Sequence, residues 1–319
     1  MRLNDTQLTY FVDHRVKLPK DQREKHLAQA TNLVSEFRRV AASDRSINVQ
    51  KFLISGSLMK GTSLRPRDGY SPDADIAVFL LNERGGFDLE LLHERLRRLL
   101  LKCYPTKRPE DFTVQPRTLG IEFQGSGLQV DLVPIIPDPS RDNFGYQPSS
   151  RGEPPVLTSP SGQLEFIRSR KDADPRFAKL VRMAKYWRNQ HELDALRSFF
   201  IELMLAHLQD TRGEAASLED GLVRFFGWIA QSELRDPVTF RECGRPSVWP
   251  RDRVVVLDPV NVANNVARRI TDSECREIVE AARTAWERIH EARSNGYVGE
   301  TMECWKDVFG RSFVVEESA

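Results

Sequence analysis

Apolar positions recur every three or four residues through "KDQREKHLAQATNLVSEFRRVAAS". Leu27, Ala30 and Val34 stand between polar neighbours, which predicts an amphipathic helix of several turns. The apolar run "VQKFLIS" then predicts a short strand, and "DIAVFLL" predicts a second one beyond a Gly-Ser turn and a polar loop. In "DLELLHERLRRLLLKCY" the steps from Leu89 to Leu92, Leu96 and Leu99 restore the helical period. Two β-rich runs, "TLGIEFQ" and "LQVDLVPII", flank "GSG" and predict a hairpin.

The pattern breaks at "PDPSRDNFGYQPSSRGEPPVLTSPSG", a Pro-, Gly- and Ser-rich crossing that is the best boundary in the chain. Beyond it the sequence turns helical. "DPRFAKLVRMAKYWRNQ" aligns Phe177, Leu180, Ala184 and Trp187, "ALRSFFIELMLAHLQ" is apolar nearly all round, and "DSECREIVEAARTAWERIHEAR" is amphipathic again. The expectation is an α+β chain of two lobes: a mixed strand and helix lobe over 1–155, and a mainly helical lobe over 156–319.

Composition removes whole classes of partner. With 319 residues the chain is long enough for two cores. Its 47 basic and 46 acidic residues nearly cancel, so no global field draws it to nucleic acid or membrane. The exception is local: Arg168 to Arg188 holds eight basic residues against Asp172 and Asp174, which leaves room for weak nucleic-acid binding. Cys103, Cys243, Cys275 and Cys304 have no paired spacing, and none of the six histidines pairs at metal spacing. The opening residues lack the apolar core of a secretory signal, and no run of about 18 apolar residues suggests a span. A soluble cytoplasmic protein is expected.

Candidate chemistry sits at the second strand. Residues i and i+2 share a face, so Asp73 and Asp75 project together from "DADIAVFL". Carboxylates that close repel each other, and burying them is costly unless a cation compensates. Asp131 lies in the middle of the apolar strand "LQVDLVPII"; if that strand is adjacent, the three form a cluster. Three carboxylates suit Mg²⁺, which takes oxygen ligands and leaves coordination for phosphates. Two such ions would bracket an in-line phosphoryl transfer, one activating the attacking hydroxyl and the other steadying the leaving pyrophosphate. Gly56 and Ser57 would then let the backbone and a hydroxyl approach a triphosphate, with a helix opening after the turn to aim its positive end there. "DPVNVANNVAR" is read as structural, because its Asx side chains fold back on their own backbone.

In this order, "SGSLMKGTSLR", "DADIAVFL" and "GSGLQVDLVPII" resemble the nucleotidyltransferase superfamily of polymerase β-like enzymes, CCA-adding enzymes and oligoadenylate synthases. Together with "LEFIRSRK", "KLVRMAKYW", "SFFIELMLA", "LDPVNVANNVAR" and "WKDVFGRSF", they look most like the bacterial cGAS/DncV-like nucleotidyltransferases, the CD-NTases of CBASS anti-phage systems. Within that family the segments are most similar to the clade that makes a cyclic trinucleotide from ATP with HORMA-domain partners. The loop "SLRPRDGYSP" is a few residues longer than in close relatives.

The resemblance implies a two-lobed polymerase β-like fold with an N-terminal spine helix. It implies Asp73, Asp75 and Asp131 as the metal-binding catalytic triad and Gly56 and Ser57 as the donor-phosphate loop. Lys185 and Ser198 would hold the triphosphate from the helical lobe, and Phe199 would stack on the donor base. Two Mg²⁺ ions, ATP and other NTPs as substrates, and a HORMA-domain regulator follow from the same likeness. Two alternatives stay open: a linear oligoadenylate or RNA-terminal transferase, and a scaffold without catalysis.

Overall fold

The structure, a computed structural model, describes residues 2–44, 46–67, 70–81, 89–151 and 153–316. Asp68 and Gly69 of the long loop, and Asp88 at the start of the helix predicted there, lie outside the described residues. The chain forms two compact units, Leu18–Glu165 and Met1–Lys17 with Phe166–Ala319. Helix α1 (Asp5–Phe11) opens the second of these, fixed by a capping box in which Asn4 and Gln7 each accept the other's backbone N–H.

In the sheet unit, α2 (Lys20–Asp44) is the first predicted helix, but its buried stripe is Ala30, Leu33, Phe37, Val40 and Ala41. Leu27 is only half-buried, and His26 takes the inner position because its Nε2 meets the Ser126 carbonyl oxygen at 3.2 Å. The strands follow as β1 (Val49–Ser55), the one-turn helix α3 (Gly56–Lys60), and β2 (Asp73–Leu80). Then come α4 (Leu89–Cys103), β3 (Phe112–Val114), β4 (Leu119–Phe123) and β5 (Leu128–Pro137). Two strands inside the Pro-rich crossing, β6 (Gly145–Gln147) and β7 (Val156–Thr158), were not legible because three residues are too few to show a period.

These strands make one seven-stranded sheet in the order β1-β2-β5-β4-β3, with β6 paired to β5 and β7 to β6. β2 and β5 run parallel, and the pairs flanking them are antiparallel. Alternation sorts the side chains. Ala74, Ile76, Val78 and Leu80 of β2 join Leu128, Val130 and Leu132 of β5 in the core with Leu33 and Phe37 of α2 and Leu96 and Leu99 of α4. The opposite face carries Asp73, Asp75 and Asp131 at one end and a small apolar cluster of Ala77, Phe79 and Ile135 further along.

The helical unit continues with α5 (Pro160–Ala173), α6 (Phe177–Gln190), α7 (Ser198–Arg212) and α8 (Leu218–Ser232). After the two-stranded β8 (Leu257–Asp258) and β9 (Asn261–Asn265) come α9 (Asp272–Ser294) and α10 (Val298–Phe309). Every residue of α7 from Phe200 to Ala206 is buried, as its all-round apolar character requires. Trp187 packs edge-on against Phe226, and Phe11 of α1 sits among Tyr186, Phe309 and Phe313. The Asn-rich hairpin has the structural role expected of it. Asn265 accepts the Val256 and Ala267 N–H groups and donates to Asp252 and the Val254 carbonyl, and Asp258 accepts from Val260 N–H and Asn264. Among the described residues no helix is long and apolar enough to cross a membrane.

Candidate active site

Strand register brings the predicted carboxylates together. Ser55 pairs with Asp75, Asp75 with Asp131, and Asp131 with Gly120, so one row crosses β1, β2, β5 and β4. Directly paired residues project to the same side, with strands about 4.8 Å apart, so Asp75 and Asp131 share a face. Asp73 stands two residues earlier on that face, more exposed than the other two.

Glycines make the space for this row. Gly56 has φ +74°. A Cβ built on it would lie 2.6 Å from Asp75 Oδ2. A Cβ on Gly120 would lie 2.9 Å from Asp131 Oδ1. Gly56 was expected as a phosphate contact, and it also clears Asp75. Gly120 was missed by the sequence reading, because only the β4–β5 register reveals what it faces. Replacing Gly120 with Ala is expected to turn the Asp131 carboxylate aside and cut product formation by roughly ten-fold or more, since about 1 Å of misplacement can cost a hundred-fold. Steady-state turnover and the Mg²⁺ half-saturation concentration check this; wild-type values for both would contradict it.

Ser57 faces the same carboxylates. Its Oγ donates to Asp73 Oδ1 at 2.9 Å and lies 3.0 Å from Ser63 Oγ. The helix after the Gly-Ser turn is a single turn of five residues, so its dipole adds little to a phosphate contact. The hydroxyl and backbone of the turn are the features that remain for that task.

Burial, and then the negative charge of Asp73, push the Asp131 carboxyl up to about 6. A carboxyl raised in the folded state contributes stability that is complete below its unfolded value, near 3.8, and is lost as pH rises through about 6. In chelator, the wild-type protein is therefore expected to lose stability between pH 4 and about 7, by at most about 3 kcal/mol from this group. The variant Asp131→Asn should lack that component of the slope. Identical slopes in thermal melts of the two proteins would contradict the assignment.

The donor set fits magnesium. It is all oxygen, it is flanked by two glycines that leave the carboxylates room, and its buried member resists ionisation until a cation compensates. Among the described residues no three His, Cys, Asp or Glu side chains converge tightly enough to cage an ion unaided. A Mg²⁺ site completed by phosphate and water has no need of such a cage.

The remaining predicted residues belong to the helical unit. Lys185 on α6 is 2% exposed. Its Nζ donates to Glu202 Oε1 of α7 at 2.6 Å, with Glu202 1% exposed. Ser198 opens α7 half-buried, and Phe199 beside it is half-buried as well. The basic stretch around them does not form a face for nucleic acid. Arg170 pairs with Asp210 and Glu242, Arg176 with Asp5, and Lys179 bonds to Thr9. Arg182 and Arg188 bond to backbone carbonyls.

No protein-family model matches the chain. It is 36% identical over 320 residues to a CBASS oligonucleotide cyclase CdnC of Escherichia coli strain KTE188, covering 100% of both chains. It is 33% identical over 310 residues to a cyclic AMP-AMP-AMP synthase of E. coli strain MS 115-1, covering 95% of each. The solved structure of E. coli MS115-1 CdnC with ATP superposes with a TM-score of 0.85 at 32% identity, covering 98% of this chain and 99% of that one. The same enzyme in complex with HORMA-deltaN gives 0.84 at 32% identity, covering 98% of each chain.

Proposed function

The chain belongs to the CBASS oligonucleotide cyclases, nucleotidyltransferases of the CD-NTase family, and on that premise we propose that it condenses ATP into cyclic tri-AMP in a Mg²⁺-dependent reaction. The family membership establishes a cyclic oligonucleotide synthase. The observation that carries the site is the row in which Asp75 pairs with Asp131 beside Asp73, cleared by Gly56 and Gly120.

In this reading the 3′-hydroxyl of one nucleotide attacks the α-phosphate of another. The new O3′–P bond forms as the bond to the β-phosphate breaks, and pyrophosphate leaves. Magnesium held by Asp73, Asp75 and Asp131 would supply Lewis acidity at the reacting phosphate oxygens. Ser57 offers its hydroxyl to the donor phosphates, and Gly56 lets the backbone approach them. Lys185 and Ser198 hold the triphosphate from the helical lobe, and Phe199 stacks on the donor base. The cyclic AMP-AMP-AMP synthase supports the adenylate product, and the complexes of its CdnC relative support ATP as substrate and a HORMA-domain regulator as partner. The working location is the cytoplasm, where ATP and Mg²⁺ are supplied.

Offering each NTP alone with Mg²⁺ and a HORMA protein tests the substrate. ATP alone is expected to suffice. An absolute need for a second nucleotide would keep the cyclase and overturn the all-adenylate product.

A further inference from the structure

We infer that Ser63 is a positioning residue for Ser57, fixing through a directed hydrogen-bond relay the hydroxyl that meets the donor phosphates. The inference deepens the proposed function and rests on Ser57 and Asp73 belonging to that site. Proton counting sets the direction. An ionised carboxylate only accepts, so Ser57, 2.9 Å from Asp73 Oδ1, must donate its single hydroxyl proton there. Ser57 then has only lone pairs to offer Ser63 at 3.0 Å, and Ser63 must be the donor. The relay runs Ser63 Oγ–H to Ser57 Oγ–H to Asp73.

The backbone is shaped to make this pairing. Gly61 ends α3 in the left-handed region, at φ 68° and ψ 31°, with its N–H on the Ser57 carbonyl. The Thr62 N–H reaches the same carbonyl at 3.0 Å, which folds the chain back so that Ser63 returns to Ser57. Ser63 is 4% exposed, and its own carbonyl accepts the Leu18 N–H at 3.3 Å. Its hydroxyl is thus held on a fixed backbone, while the half-buried Ser57 would otherwise rotate freely. When the Asp73 carboxylate turns to a cation, Ser63 is the contact that still orients the Ser57 oxygen. This accounts for the Gly-Thr-Ser that follows the Gly-Ser turn. Gly61 supplies the bend, and Ser63 supplies the donor.

The test is a double-mutant cycle on the full chain, read by calorimetric binding of a non-hydrolysable ATP analogue with Mg²⁺ and by steady-state kinetics. Ser63→Ala is expected to weaken analogue binding and raise KM for ATP by about three- to ten-fold, the range of one uncharged hydrogen bond, with a smaller change in kcat. Ser63→Thr, which keeps the hydroxyl, should recover most of the loss. Adding Ser63→Ala to Ser57→Ala should cost nothing more, because Ser63 acts only through Ser57. Melting temperatures of all variants verify that each is folded. If Ser57→Ala weakens binding and Ser63→Ala does not, or if the two losses add in full, the relay is refuted and the site stands. If Ser57→Ala leaves binding unchanged, the phosphate role of Ser57 fails and the relay fails with it.

Discussion

Replacing Asp73 and Asp75 together with Asn is expected to reduce cyclic product by at least roughly two to three orders of magnitude while the protein stays folded. Both side chains keep their size and their hydrogen-bonding oxygens, so the packing of β2 against β5 is undisturbed. What disappears is charge: two of the three anionic ligands that would hold Mg²⁺ against the reacting phosphate. Electrostatic stabilisation of this kind is commonly worth such factors for even a single group. In chelator the same variant should melt at the wild-type temperature or above, because carboxylates crowded on one sheet face repel each other. Opposite signs for activity and stability are the signature of a site that sacrifices stability for function. A double variant that turns over like wild type would remove the triad from the mechanism.

Lys185→Ala is expected to cause the largest loss of stability of any single change proposed. Lys185 and Glu202 form an ion pair with both partners almost fully buried, and removing the ammonium leaves that carboxylate facing apolar neighbours. Breaking such a pair costs about 3–5 kcal/mol, whereas replacing both partners with uncharged groups of similar volume is often neutral. Lys185→Met with Glu202→Gln should therefore regain much of the lost melting temperature. The double variant also isolates the phosphate role. If Lys185 grips the triphosphate, ATP binding in the refolded double variant should remain about ten-fold weaker while AMP binding is little changed, as expected for one charge-assisted contact. Equal losses for ATP and AMP would reduce Lys185 to a partner of Glu202.

The sequence shows Asp131 by contrast, as a carboxylate in a strand otherwise made of Val, Leu and Ile, and shows the face shared by Asp73 and Asp75 by their spacing. It does not show Gly120, whose meaning lies in a pairing between strands. Glu202 is hidden for a related reason: within "FFIELML" it is an isolated acid, and nothing seventeen residues away announces that Lys185 is buried against it. The stripe of α2 is misphased because a histidine is counted as polar when the fold gives it a carbonyl partner. Helix α8 carries a readable start, Ser217 accepting the Asp220 N–H three residues on, which the reading passed over. The pattern of apolar positions therefore places the long elements, and pairings across the sheet and between helices decide which polar groups belong to a site.

The measurement that bears most directly on the central claim is the mass of the phosphatase-resistant product. It is obtained from purified protein supplied with all four NTPs, Mg²⁺ and a HORMA-domain protein, beside the Asp73→Asn, Asp75→Asn variant under the same conditions. The account predicts a resistant species of three adenylates that is absent from the variant reaction. A resistant cyclic dinucleotide containing a pyrimidine would contradict the all-adenylate product, and linear products alone from the active protein, or a resistant product undiminished in the variant, would contradict the proposed mechanism itself.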